Sequence, residues 1–317
     1  MLITRPERLD VDLGVARGGV ATLGVFDGVH LGHQLILRRV VETARAARAP
    51  AVVLTFAVHP VVVVKGLRPR LITSLEHRLA LFAAIGIDAC VVLPFDAAVR
   101  ELTAEQFAQR VFVDALALRG LVLGKDAHIG RDRGGDTAFL SAFCARHTIT
   151  FETIEDFTVS GHRVSSTAIR AAIADGDLGR AELLLGRAVA LFGTVVRGDG
   201  RGRQLGFATA NLDLHHEIRP PAGVWAVRVR IGSIWVPAVL NIGIRPTFGP
   251  DGDLTVEAHL LDFSGDLYGQ TLEVRLVARL REELRFPSRD ALVLQIGRDV
   301  EAARSLLVRP TPGPTAP

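Results

Sequence analysis

Two stretches of the chain gather side chains suited to handling phosphate. The first is Gly24-Val25-Phe26-Asp27-Gly28-Val29-His30-Leu31-Gly32-His33, where an apolar run gives way to an amphipathic one. A strand, a Gly-rich turn and a helix start in that order aim backbone N–H groups and the positive helix end at an anion. Gly24, Phe26, Asp27, Gly28 and Gly32 are therefore candidate phosphate contacts. His30 and His33 lie three apart across Gly32, so near a helix start both imidazoles can face one ligand. Their N–H groups suit the charge that builds on a triphosphate attacked at its α-phosphorus, an electrostatic rather than covalent role. The plainer alternative is two surface histidines at a helix entry. A metal pair lacks a third ligand nearby in sequence.

The second stretch, Gly193 to Leu212, holds Gly198, Gly200, Gly202, Gly206, Arg197, Arg201 and Arg203. A loop so rich in Gly and Arg cannot fill a core, yet it suits close wrapping of a polyphosphate with guanidinium neutralisation. Gly198, Arg201, Arg203 and Gly206 are the candidates for that contact, and a merely flexible loop is the alternative. Farther on, Val256-Glu257-Ala258-His259-Leu260 alternates, which puts Glu257 and His259 on one strand face. A solvated barrel face would explain them too.

These groups need a scaffold, and the chain changes texture part-way. From Gly19 to about Leu185, apolar runs at Val20–Val25, Ala51–Phe56, Ala89–Leu93 and Gly120–Leu123 alternate with helical spacing. That is the pattern of βα units about a parallel sheet. Leu35, Leu37, Val40, Val41 and Ala44 mark the apolar side of one helix, opposite Arg38, Arg39, Glu42 and Arg45. Ser74–Ile85 predicts another helix, with Ser74 as N-cap. After Gly186 come strands at Leu191–Val196, Val224–Ile231, Ile234–Leu240, Thr255–Asp262 and Leu272–Leu280, and a closing helix over Ser288–Leu307. Short strands with turn signals predict a small antiparallel β-barrel. The expected fold is thus α/β plus β: a doubly wound Rossmann-like domain over 1–186, then a barrel with a C-terminal helix over 187–308. Residues 309–317 carry four prolines and no apolar periodicity, and are expected to be disordered.

At 317 residues the chain exceeds what one core usually supports, about 250–300 residues. Hydrophobic residues make up 49% and charged ones 22%, enough apolar surface for globular folding. The formal charge is +3, without the basic tail or aromatic-studded stripe of a nucleic-acid binder. Two cysteines, Cys90 and Cys144, exclude a disulfide framework and suit a reducing compartment. No signal peptide is evident at the N-terminus, and no apolar run approaches the ~20 residues of a membrane span. A cytoplasmic protein is expected, without nucleic-acid or membrane partners.

The chain resembles the prokaryotic bifunctional riboflavin kinase/FAD synthetases. Gly24 to His33 is similar to the His-x-Gly-His signature of the nucleotidylyltransferase superfamily in the form found there, and Val164-Ser165-Ser166-Thr167-Ala168-Ile169-Arg170 matches a second signature. Ser165, Ser166 and Thr167 can cap a helix while holding phosphate, and Arg170 sits one turn on to neutralise charge. Thr55-Phe56 and His59-Pro60 match more loosely, with Phe56 either a flavin contact or ordinary core. Where the family has a Gly, an acidic residue and an aromatic-basic-aromatic-Gly run, this chain reads Gly124-Lys125-Asp126-Ala127-His128-Ile129-Gly130. Asp126 and His128 remain as flavin-binding candidates. Loss of two aromatic positions removes stacking of about 0.5–1.5 kcal/mol each.

In the second half, Ala208-Thr209-Ala210-Asn211 resembles the Pro-Thr-Ala-Asn signature of riboflavin kinases, with only the Pro replaced. The resemblance implies that Thr209 and Asn211 hold Mg²⁺ and ATP phosphates. It also implies that Glu257 is the base taking the riboflavin 5′-hydroxyl proton. Asn241-Ile242-Gly243-Ile244-Arg245-Pro246-Thr247-Phe248 matches a further family segment, and Phe286, Leu292 and Ile296 could cover a flavin or simply close the barrel. The implied activity is phosphorylation of riboflavin to FMN, then adenylylation of FMN to FAD, with ATP as co-substrate and Mg²⁺ required. The implied partners are riboflavin, FMN and ATP, for a monomer or weak homo-oligomer. The alternatives are a kinase whose first half is inactive or acts on another substrate, and a non-catalytic flavin sensor.

Overall fold

The structure is a computed structural model that describes residues 1–9, 14–198, 202, 205–215, 218–245 and 253–307. Arg201, Arg203, Pro246–Phe248 and the proline-rich tail lie outside the described residues. By packing, one compact unit comprises Met1–Arg70 with Leu75–Ser166, and a second comprises Leu71–Ser74 with Thr167–Pro317.

The first unit is built on six parallel strands: β1 (Leu2–Thr4), β2 (Val20–Leu23), β3 (Ala51–Phe56), β4 (Ala89–Leu93), β5 (Gly120–Gly124) and β6 (Thr150–Ile154). Their order is β1-β4-β3-β2-β5-β6. The chain therefore runs outward from β2 in both directions, and β2 is the switch point where such sheets bind ligands beyond the strands' carboxyl ends. The sheet is covered by α1 (Leu31–Ala46), α2 (Pro60–Lys65), α3 (Leu75–Ile85), α4 (Ala97–Arg100), α5 (Ala104–Ala108, continued by a π-helical stretch to Ala115) and α6 (Thr137–Arg146). β3 and β4 are buried along their whole length. Both faces are covered, so apolar runs replace alternation. Val52, Leu54 and Val91 enter one core with Phe107 and Phe112, while Val53, Cys90 and Val92 enter the other with Leu37 and Phe82.

Leu37, Val40, Val41 and Ala44 of α1 are buried as the spacing predicts, but Leu35 is exposed. Two residues from Leu37, it is turned by about 200° and falls off the stripe. The apolar run Val20–Val25 ends as a strand at Leu23, because Gly24 opens the turn into α1. β1 and β6 gave no signal, one being three residues long and the other only half-buried.

After a short hairpin, β7 (Thr158–Val159) and β8 (His162–Arg163), come α7 (Ser166–Asp175) and α8 (Leu178–Leu185). Gly186 closes α8 in the left-handed conformation that ends many helices. The second unit then forms a closed antiparallel barrel from β9 (Ala190–Val196), β10 (Ala210–Leu214), β11 (Gly223–Ile231), β12 (Ile234–Arg245), β13 (Asp253–Leu260) and β14 (Thr271–Arg281), in the order β10-β13-β12-β11-β14-β9. Closure removes exposed sheet edges. The helix α9 (Arg289–Leu307) follows. β10 falls at the end of the stretch expected to be a Gly- and Arg-rich loop; pairing to β9 makes it a strand. The β13 strand starts and stops two residues before the expected Thr255–Asp262, with Asp262 at φ 56° in the turn.

Candidate active sites

The turn between β2 and α1 is conformationally forced. Phe26, Gly28 and Val29 have φ of 54°, 83° and 40°. For the two non-glycines that conformation costs on the order of 1–3 kcal/mol each. His30 is the N-cap of α1, and its Nδ1 accepts from the His33 N–H at 3.3 Å. A neutral ring whose Nδ1 accepts carries its proton on Nε2, which makes that edge a donor. The His30 and His33 rings stack with centroids 3.5 Å apart. A Cβ on Gly32 would press on the His30 ring at 3.4 Å, so glycine leaves space for it. Phe26 differs from the other candidates in this turn. Its ring is core, edge-on to His33 at 5.2 Å and Phe82 at 5.8 Å, which leaves only its backbone for an anion.

Ser166 does not act only as a helix start. Its hydroxyl donates to the Asp27 carbonyl at 2.9 Å, which ties the second signature to the first. Ser165 is half-buried and Thr167 exposed, and Arg170 lies half-buried on α7, which packs with the second unit.

A residue missed by sequence reasoning holds the turn from below. Arg78 of α3 is buried, and it donates to the carbonyls of Val25 and Phe56 (3.3 Å for the latter) and to the Thr55 hydroxyl at 3.3 Å. Burial lowers its pKa, partly offset by Asp27. An Arg inside the apolar part of a helical pattern was the available signal.

Beside this turn is a cavity of about 460 Å³, within the ~300–1,000 Å³ typical of small-molecule sites. It is walled at the carboxyl ends of β2, β3 and β5 by Gly24, Phe56 and Leu123, with Phe95 just past β4, and by Phe107, Ala127 and Ile129. Phe56 and Phe95 meet edge to face at 5.4 Å. Ala127 and Ile129, which replace aromatics of the family pattern, thus face a cavity that holds three phenylalanines from elsewhere in the chain. His128 also lines it, but Asp126 does not: its carboxylate pairs with Arg163 at 3.0 Å on the surface.

In the barrel, β10 pairs with β13 only at Ala210–Ala258 and Asn211–Glu257. Asn241 of β12 lies on the other side of Glu257, so three polar residues stand in register across the strands. Val256, Ala258 and Leu260 point into the core, leaving Glu257 and His259 on the opposite face as the alternation predicts. Glu257, His259, Asn241 and Thr209 line a cavity of about 320 Å³ whose apolar wall includes Leu205, Phe207, Phe286, Leu292 and Ile296. Thr209 also lines a neighbouring cavity of about 340 Å³, with Tyr268 and Phe263. One threonine therefore stands between two cavities, while Asn211 lines neither. A Cβ on Gly198 would collide with the Asn211 amide; one on Gly202 would collide with the Phe207 carbonyl and lie 2.9 Å from the Thr209 hydroxyl. Gly198 and Gly202 thus lie against the two residues expected to hold metal and phosphate. Gly206 has φ 88° in the turn that follows.

Residues 14–168 match the family model for FAD synthetase, and residues 185–307 match the one for riboflavin kinase. A Pseudomonas fluorescens protein named bifunctional riboflavin kinase/FMN adenylyltransferase is 42% identical over 92% of this chain and 93% of its own length. The chain belongs to that bifunctional family. Family members of the same name from Haemophilus influenzae and Escherichia coli K12 are 39% and 38% identical, over 92% and 90% of this chain and 95% and 92% of theirs. A solved Streptococcus pneumoniae structure described as a macrolide-efflux protein superposes with TM-score 0.82 at 30% identity, covering 96% of this chain and 99% of that one. Among the described residues of the present family member, no helix is long and apolar enough to cross a membrane.

Proposed function

We propose that the barrel phosphorylates riboflavin to FMN and that the first unit's β2–α1 site adenylylates FMN to FAD. The observation that carries the first step is Glu257 in a largely apolar cavity that shares Thr209 with a second one. Riboflavin occupies the former, against Phe286, Leu292 and Ile296, and ATP the latter. Glu257 takes the proton of the 5′-hydroxyl as its oxygen attacks the γ-phosphorus, and ADP leaves. Thr209 and Asn211 offer neutral oxygens beside Gly202 and Gly198, where a Cβ would collide, a donor set that fits Mg²⁺ sharing its other positions with phosphate and water. When bound, Mg²⁺ supplies neutralisation of polyphosphate charge.

For the second step, an oxygen of the FMN phosphate attacks the α-phosphorus of ATP and pyrophosphate leaves. His30 and His33 donate to the charge that develops, and the N–H groups of the α1 start hold phosphate with Ser165 and Ser166. The cavity lined by Phe56, Phe95, Phe107 and His128 takes the isoalloxazine ring. We place the functional boundary near 186–188, where sheet-and-helix texture gives way to the barrel. Two buried thiols fit a cytoplasmic enzyme. It acts as a monomer or weak homo-oligomer on riboflavin, FMN and ATP.

Purified protein mixed with riboflavin, ATP and MgCl₂ tests the reading, with flavins resolved by chromatography. FMN is expected first and FAD after it. FMN alone overturns the second step; no product overturns the first, and FMN supplied directly then tests the second.

A further inference from the structure

The helix α9 is fixed to the barrel unevenly. Its second half enters an apolar cluster, through Val300, Ala303 and Leu307, with Val224, Val239 and Leu261. Its first half carries no buried apolar residue; the first buried position along α9 is Asp299. Yet Leu292 and Ile296 of that half, with Phe286 before it, wall the cavity that holds Glu257.

Asp299 is only 5% exposed, and its carboxylate is saturated with donors. Arg281 at the end of β14 donates from Nε at 3.0 and 3.1 Å and from Nη2 at 2.7 Å, and Gln295 donates at 2.9 Å. The remaining Arg281 Nη1 donates to the Glu282 carbonyl at 2.9 Å, and the guanidinium lies 5.7 Å from the Phe286 ring. One fork therefore grips α9 and the connection that brings in Phe286. A buried ion pair adds little net stability over apolar residues of the same volume, whereas its forked geometry is specific.

We infer that Arg281 and Asp299 are positioning residues for riboflavin, pinning the half of α9 outside the apolar cluster as the cavity wall that presents the 5′-hydroxyl to Glu257. Both also border the cavity, and neither takes the hydroxyl proton. The role rests on the kinase reading of the barrel. Small misplacement of a reacting group lowers turnover, and a displaced wall weakens binding before that.

The test uses the full chain with Asp299→Asn, which keeps the shape and one acceptor but removes the charge. KM for riboflavin is expected to rise about tenfold or more, while KM for ATP stays within about twofold. FAD formation from supplied FMN serves as an internal control. If Asp299→Asn unfolds the barrel, Arg281→Lys, which keeps the charge and loses the fork, is expected to raise KM for riboflavin in the same selective way. Unchanged KM for riboflavin in a folded variant, or a parallel loss of riboflavin and ATP binding, overturns the inference. Wild-type protein that forms no FMN overturns the kinase reading instead.

Discussion

At the scale of single residues, the His30 ring is committed before any ligand arrives. Its Nδ1 accepts the His33 N–H, so in the neutral ring the proton sits on Nε2. Replacing His30 by Ala is expected to cut FAD formation by about 10²–10³-fold, the usual loss for one preorganised donor, while FMN formation continues. Timed chromatography of both flavins separates the two. Glu257→Gln is expected to do the converse: FMN formation falls about 10²–10⁴-fold and FAD still forms from supplied FMN. Equal loss of both products in either variant would break the division of labour. Burial pushes the Cys90 thiol up to about 12 and Cys144 up to about 11. The thiolate is the reactive form, so native protein at pH 8 is expected to leave an aromatic disulfide reagent untouched. Two thiols then react after denaturation.

At the scale of elements, a parallel sheet with its switch point at β2 sets the carboxyl ends of several strands around one cavity. That explains how Phe95 and Phe107 can face the same space as Ala127 and Ile129, across a separation no motif spans. Phe95→Ala should raise KM for FMN several-fold, given about 0.5–1.5 kcal/mol for an aromatic contact beyond area burial. Steady-state adenylylation with FMN varied checks this. In the barrel, Gly202→Ala places a Cβ on the Phe207 carbonyl beside Thr209. It is expected to raise KM for ATP in the kinase step alone. The β13 face and the α1 stripe from Leu37 to Ala44 were legible in the sequence because their periods of 2 and about 3.6 are carried by consecutive residues. β10 was not, since its identity as a strand comes from β9 pairing rather than from its own residues.

At the scale of the molecule, each compact unit has its own core. Chains with separate cores commonly depart from two-state unfolding. Calorimetry is expected to resolve two transitions, and riboflavin at about 100 times its Kd should stabilise only the barrel's, by about 2.7 kcal/mol. One transition that shifts as a whole would contradict this. The motifs around His30, Thr209 and Glu257, the change of texture after Gly186 and the family resemblance were already determined by the sequence, because they depend on local spacing. The phenylalanine lining of the first cavity, the Arg78 brace and the Arg281–Asp299 fork were decided only by the tertiary structure. Each joins residues from separate elements, 18 positions apart for the fork and up to 53 for the brace. Local periodicity holds no information about which distant polar side chains will meet once water is excluded.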